Sequence, residues 1–206
     1  MKVRAQTLEA YVERAHEILD HIELQYESTD AFDDIWDRTV CELESIIKEP
    51  NGNPKMEFRE HNTRYPYYQT IPGLLAETIT AVNLYQHYGW SFAFATNWHT
   101  QYTLGIDMWI NPTYQDHTLQ VKAVRFLRDK LDGKTDFSNI KTDWVSLVDI
   151  DDYHHFFIER NMFLSAISED PCLTIETLNT LATNKFDNIE LYGSKEDRLV
   201  RGLISK

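Results

Sequence analysis

Only two cysteines, Cys41 and Cys172, occur in 206 residues, too few for a disulfide framework or a cysteine-rich zinc site. Glycine and proline are scarce as well, at 7 and 6 residues, which excludes collagen-like and low-complexity chains. No window approaches eighteen uninterrupted apolar residues, so no membrane-spanning helix is expected. The opening stretch MKVRAQTLEAYVERAHEILD carries charges where a signal peptide needs its apolar centre. Glycine-rich nucleotide loops, a Gly-X-Ser-X-Gly nucleophile elbow and a His-Glu-X-X-His helix are also absent. These absences lead to the expectation of a soluble, cytoplasmic protein without membrane contact.

The chain does contain the means to build a core. Hydrophobic residues make up 42% and aromatics 13%, with 5 Trp, 11 Tyr and 10 Phe, which excludes disorder over most of the length. The length predicts one domain, or one domain with a helical appendage. The formal net charge is -13, which disfavours loose, sequence-independent adhesion to DNA or anionic lipid. That charge is unevenly spread: residues 1–49 hold 13 acids and 5 bases, whereas residues 120–141 hold 6 bases and 3 acids. A local basic lip comprising Arg125, Arg128, Lys130 and Lys134 is therefore a candidate nucleic-acid contact on an acidic protein.

Apolar residues from Leu8 through Tyr11, Val12, Ala15, Ile18, Leu19, Ile22 and Tyr26 follow helical spacing. Ser28, Thr29 and Asp30 offer an N-cap for a second helix carrying Phe32, Ile35, Trp36, Val40, Leu43, Ile46 and Ile47. Pro50-Asn51-Gly52-Asn53-Pro54 stops it. Residues 1–49 thus read as an acidic helical hairpin, 50–69 as a linker with Tyr65, Tyr67 and Tyr68 in a loop, and 70–206 as an α/β body. A third helix is predicted from Pro72 to Tyr88. Strands are predicted over Trp90–Ala95, Thr103–Ile110, Leu119–Val124, Trp144–Ile150 and Tyr153–Ile158. A helix is allowed between the third and fourth strands, and two more are expected over Leu173–Ala182 and Glu196–Ile204. The sum is a mixed central sheet flanked by helices.

One stretch carries candidate chemistry. Asp107 lies among the apolar residues Ile106, Met108 and Ile110, an odd place for a carboxylate unless it faces a cleft. Ten residues past Ile110, period-two alternation sends Gln120 and Lys122 to one strand face and Leu119, Val121 and Ala123 to the other. Paired as a hairpin, the two strands would bring a carboxylate, an amide oxygen and an ammonium together. His154-His155 cannot clamp one metal as strand neighbours, and one is expected exposed, the other packed. Asp149, Asp151 and Asp152 read as a solvated turn, and both cysteines as small packed residues.

This arrangement resembles the catalytic core of the PD-(D/E)XK nuclease superfamily, which includes many restriction endonucleases and Holliday-junction resolvases. The resemblance covers roughly residues 72–158 in element order. It rests on Glu77 as the acid of the preceding helix, Asp107 as the strand Asp, and Gln120 with Lys122 as the triplet. Ile106 stands where the family motif has Pro, and Gln120 replaces the triplet's acid. The resemblance implies a restriction-endonuclease-like fold and Mg²⁺- or Mn²⁺-dependent hydrolysis of DNA phosphodiesters, in the setting of a phage or mobile element. Asp107, Gln120, the Val121 backbone carbonyl and Glu77 would hold the metal, and Lys122 would orient water or offset phosphate charge. Two other functions remain open, a non-catalytic protein-interaction module and a DNA mimic. The hairpin would serve a protein partner or a homodimer.

Overall fold

The computed structural model describes residues 8–23, 30–48, 67–88, 92–95, 99–110, 117–152 and 154–182. Three helices lead: α1 (Leu8–Glu23), α2 (Asp30–Lys48) and α3 (Tyr67–Tyr88). Strands β1 (Phe92–Phe94), β2 (Met108–Ile110) and β3 (His117–Ala123) follow. A small ribbon, β4 (Phe126–Leu127) and β5 (Lys130–Leu131), precedes β6 (Trp144–Val148) and β7 (His155–Glu159). Helices α4 (Arg160–Glu169) and α5 (Ile175–Ala182) complete the described elements.

The protein is mixed α/β with a five-stranded mixed sheet in the order β1-β2-β3-β6-β7. Its strands are antiparallel except for the β3/β6 pair, which is parallel. Strands β6 and β7 are buried on both faces because helices pack on both. The α1 side chains Ala15, Ile18 and Leu19 and the α2 side chains Phe32, Ile35, Leu43 and Ile46 join one continuous core with α3 and the sheet. Both helices pack mainly on α3 rather than on each other.

Polar contacts inside this core set the orientation of α3. The Thr80 and Ser146 hydroxyls are 2.8 Å apart, and Ser146 Oγ lies 2.8 Å from His155 Nε2. Asn83 Nδ2 meets the other ring nitrogen of the same histidine. All four residues are buried, which makes this Ser-His-Asn grouping a structural brace without solvent access. A second brace joins α2 to α3 through the Thr39 and Thr78 hydroxyls, 2.8 Å apart.

Several sequence expectations need correction. Helix α3 begins at Tyr67, so Tyr67 and Tyr68 are helical and the expected linker ends earlier; Tyr65 lies outside the described residues. Pro72 is accommodated near the helix start because Ile71, Leu74 and Leu75 anchor both flanks in the core. The strand expected from Thr103 shrinks to Met108–Ile110, because His99–Thr103 forms a π-helical turn and Gly105 turns with φ 70°. No helix joins β3 to β6; the β4–β5 ribbon turns through Arg128 (φ 52°) and Asp129 (φ 64°) instead. Helix α4 was not anticipated, and the expected helix at 196–204 lies outside the described residues.

Individual side chains also depart from expectation. Asp149 is 1% exposed rather than solvated, since its Oδ1 accepts the Asp151 amide at 3.0 Å and caps the turn from inside. Burial pushes its carboxyl up to about 6. Cys41 is exposed rather than packed, because it lies on the outer side of α2. His155 is buried and His154 half-buried. No helix among the described residues is long and apolar enough to cross a membrane.

Candidate active site

The site lies where β2 and β3 part. Their ladder pairs Met108 with Leu119 and runs toward Ile110 and His117, and Asp107 stands just before it. The Asp107 amide still donates to the Leu119 carbonyl at 2.9 Å. Its carboxylate Oδ2 accepts the Val121 N–H at 2.7 Å, taking a position that a neighbouring-strand carbonyl would otherwise hold. Because a strand residue directs its N–H and C=O toward the same edge, the Val121 carbonyl opens on this gap too.

Groups from both sheet faces act on that carboxylate. Register with β6 puts Gln120 and Lys122 on the face of Val145 and Leu147, away from α3, which packs on the Ser146 face. Burial is the main cause that pushes the Asp107 carboxyl up to about 8, and the nearby charge of Glu77 raises it further. The Val121 hydrogen bond and the charges of Lys122 and Arg38 oppose that rise. Asp107 is thus the point where Glu77, Lys122 and Arg38 meet electrostatically.

Gln120 is held by its surroundings on the far face. Gly105 (φ 70°) leaves room for the amide: a Cβ there would stand 3.0 Å from Gln120 Nε2. The other amide atom, Gln120 Oε1, is buried with no hydrogen-bond partner. Gly105→Ala is therefore expected to lower stability by about 1–2 kcal/mol through left-handed backbone strain alone. It should also displace the Gln120 amide. Thermal unfolding and the side-chain amide NMR signal of Gln120 check both effects.

Arg38 of α2 is a component that sequence reasoning missed. Its Nη2 lies 2.6 Å from Glu77 Oε2, its Nε 3.3 Å from Glu42 Oε1, and its guanidinium 3.7 Å from the Phe94 ring centroid. The Thr39–Thr78 brace sits one residue along from each member of the Arg38–Glu77 pair and so sets their approach. The available signal was weak: a lone Arg among acids at the margin of the apolar stripe.

The candidate nucleic-acid residues sit on or beside the ribbon. Arg128, Lys130 and Lys134 are exposed, whereas Arg125 Nε is 3.6 Å from Asp151 Oδ2.

Among the described residues no three His, Cys, Asp or Glu side chains cluster to hold a metal ion. The oxygen groups around the gap are the Asp107 carboxyl and the Val121 carbonyl, with the Glu77 charge on the α3 side and the unpartnered Gln120 Oε1 on the opposite face. An all-oxygen set with few anionic groups fits Mg²⁺ or Mn²⁺, which keep several waters, better than Zn²⁺. No protein-family model, no curated protein and no solved structure matches this chain.

Proposed function

We propose that this protein is a divalent-metal-dependent DNA nuclease of restriction-endonuclease-like fold. The observation that carries the reading is the Asp107 carboxyl, half-buried in the gap between β2 and β3 beside the Gln120-Val121-Lys122 run and under the charge of Glu77. The antiparallel β1-β2-β3 meander joined in parallel to β6 supports the fold assignment, although a ribbon stands in place of the crossover helix.

Asp107 and the Val121 carbonyl would hold Mg²⁺ or Mn²⁺ at the gap, with the Gln120 oxygen approaching from one face and Glu77 acting through a metal-bound water from the α3 side. When bound, the cation would neutralise charge on the phosphate and lower the pKa of water. The residues themselves have distinct work. Asp107 would serve as the anionic ligand, and Gln120 presents a neutral oxygen already stripped of solvent. The Lys122 ammonium lies close enough to act electrostatically on Asp107, which suits it to orienting a water or steadying a phosphate oxygen. Arg38 holds Glu77 by an ion pair, so any shift of Glu77 toward a cation requires that pair to loosen.

The test is incubation of the full chain with supercoiled and branched DNA in Mg²⁺ or Mn²⁺. Cleavage that disappears on chelation is the expected result. Gln120→Glu adds an anionic ligand and is expected to tighten metal binding about tenfold by calorimetry. Absence of metal binding by both proteins, together with absence of cleavage, would replace this reading with a non-catalytic interaction module or a DNA mimic.

A further inference from the structure

The β4–β5 ribbon has a firmly held base and an exposed apolar tip. Leu131 is buried, and Phe126 packs against Phe156 with ring centroids 5.9 Å apart and against His154 at 5.6 Å. Backbone bonds fix the rest: Asp132 N to Arg125 O at 3.0 Å, Leu131 N to Leu173 O at 2.9 Å and Ile175 N to Asp129 O at 2.9 Å. Register places Phe126 opposite Leu131 and Leu127 opposite Lys130. One face of the ribbon therefore packs, and the other shows Leu127 beside Lys130. Leu127 is 63% exposed, well above the 39% of Ile47 and Leu104, the other large exposed hydrophobics among the described residues.

The turn is also unusual in composition. Both central residues, Arg128 and Asp129, take the left-handed conformation that Asn-Gly would adopt with less strain. A strained turn held at several points keeps an arginine at the tip. The chain is acidic overall, yet this ribbon presents the exposed Arg128 and Lys130, with Lys134 a short way on, against the one exposed acid of its tip, Asp129, around a single leucine. One leucine is too little apolar surface to anchor a membrane. An apolar side chain flanked by cations matches duplex DNA, whose stacked bases accept a wedge and whose phosphates accept the charges. The ribbon leaves the end of β3 that carries Lys122, only a few residues away.

We propose that the ribbon is a DNA-deforming element: Leu127 inserts between base pairs while Arg128 and Lys130 hold the flanking phosphates. This rests on the nuclease reading in taking DNA as the substrate, but it concerns how the duplex is gripped. Inserted wedges unstack a base step and favour flexible pyrimidine–purine steps.

The experiment uses the full chain, without divalent metal, and a duplex carrying 2-aminopurine at a TA step. Wild-type protein is expected to bind and to raise the 2-aminopurine fluorescence. Leu127→Ser is expected to bind about tenfold more weakly and to give no fluorescence rise. Its unfolding temperature should be unchanged, since the side chain is exposed. Arg128→Gln with Lys130→Gln should reduce the slope of log affinity against log salt by about 2. Binding without unstacking, or a Leu127→Ser variant that behaves as wild type, overturns the proposal. If such a variant is found while cleavage persists, the wedge falls and the nuclease stands. A Leu127-dependent fluorescence rise without any cleavage leaves the ribbon standing and removes the nuclease. Leu127-dependent binding to phosphatidylserine vesicles but not to duplex also overturns it.

Discussion

Asp107→Asn is expected to abolish metal-dependent cleavage while raising the unfolding temperature at pH 8 and above. On the nuclease proposal the carboxylate would supply the charged ligand, and losing transition-state charge stabilisation of several kcal/mol corresponds to about a thousandfold or more in rate. The stability gain follows from burial. In the folded chain the Asp107 carboxyl is pushed from 3.8 up to about 8, so the folded state binds the proton more tightly than the unfolded state does. The contribution of this group is therefore fullest below about pH 4 and falls by up to about 1.4 kcal/mol per pH unit until the folded pKa near 8 is passed. Asparagine keeps an oxygen for the Val121 N–H and removes the ionisation. A gain of about 5–10 °C at pH 8 is expected, shrinking toward zero near pH 4. Thermal scans of both proteins across that range check it; parallel curves would show that Asp107 carries no buried charge. Asp149, raised to about 6, contributes in the same direction below that pH in both proteins and cancels in the difference.

Removing residues 1–49 is expected to leave a remainder that aggregates instead of folding. Six large side chains, Ile18, Leu19, Phe32, Ile35, Leu43 and Ile46, are buried by α1 and α2 in the same core as α3. At about 1.5–3 kcal/mol for each, their loss is on the order of 10 kcal/mol. That is comparable with the whole net stability of an ordinary domain, about 5–15 kcal/mol. The deletion also bares Ile71, Leu74, Leu75 and Ile79, along with other buried residues of α3, to water. Size-exclusion chromatography and circular dichroism of the truncated chain decide the matter. A monomeric, cooperatively melting remainder would instead mark residues 1–49 as a separable addition, and its DNA affinity at low salt would then report on a regulatory acidic field.

The parts legible from the sequence were those encoded by local period. Leu8 to Ile22 and Phe32 to Ile47 announce two helices because their apolar residues repeat every three or four positions, and α1 and α2 follow. Alternation within residues 119–123 predicts that Gln120 and Lys122 share a face, and the register with β6 puts them there. The connection after β3 was less legible. Left-handed Arg128 and Asp129 have weak propensity for a tight turn, so the ribbon is specified by its contacts with Leu173 and Ile175, far along the chain. Arg38 was hidden for a similar reason: its partners Glu77 and Phe94 are remote in sequence, and no local pattern pairs a helix arginine with them. The burial of Asp149 likewise depends on the tertiary environment.

A helix resting on an apolar sheet through branched side chains alone has little to stop it rolling about its own axis. The Thr80–Ser146–His155–Asn83 chain works as a rotational index for α3, because a one-residue slip would turn the helix by about 100° and break both bonds that α3 makes to the Ser146–His155 pair of the sheet. Glu77 is three residues before Thr80 and so its neighbour on the helix surface, about 60° around the axis. The angular setting that satisfies the buried polar groups is therefore also the one that seats Glu77 on Arg38, where its charge acts on Asp107. The precision of the candidate active site is, on this view, inherited from hydroxyls and an imidazole that never meet solvent. Substitutions at Thr80 or Ser146 should then blur the site before they unfold the protein.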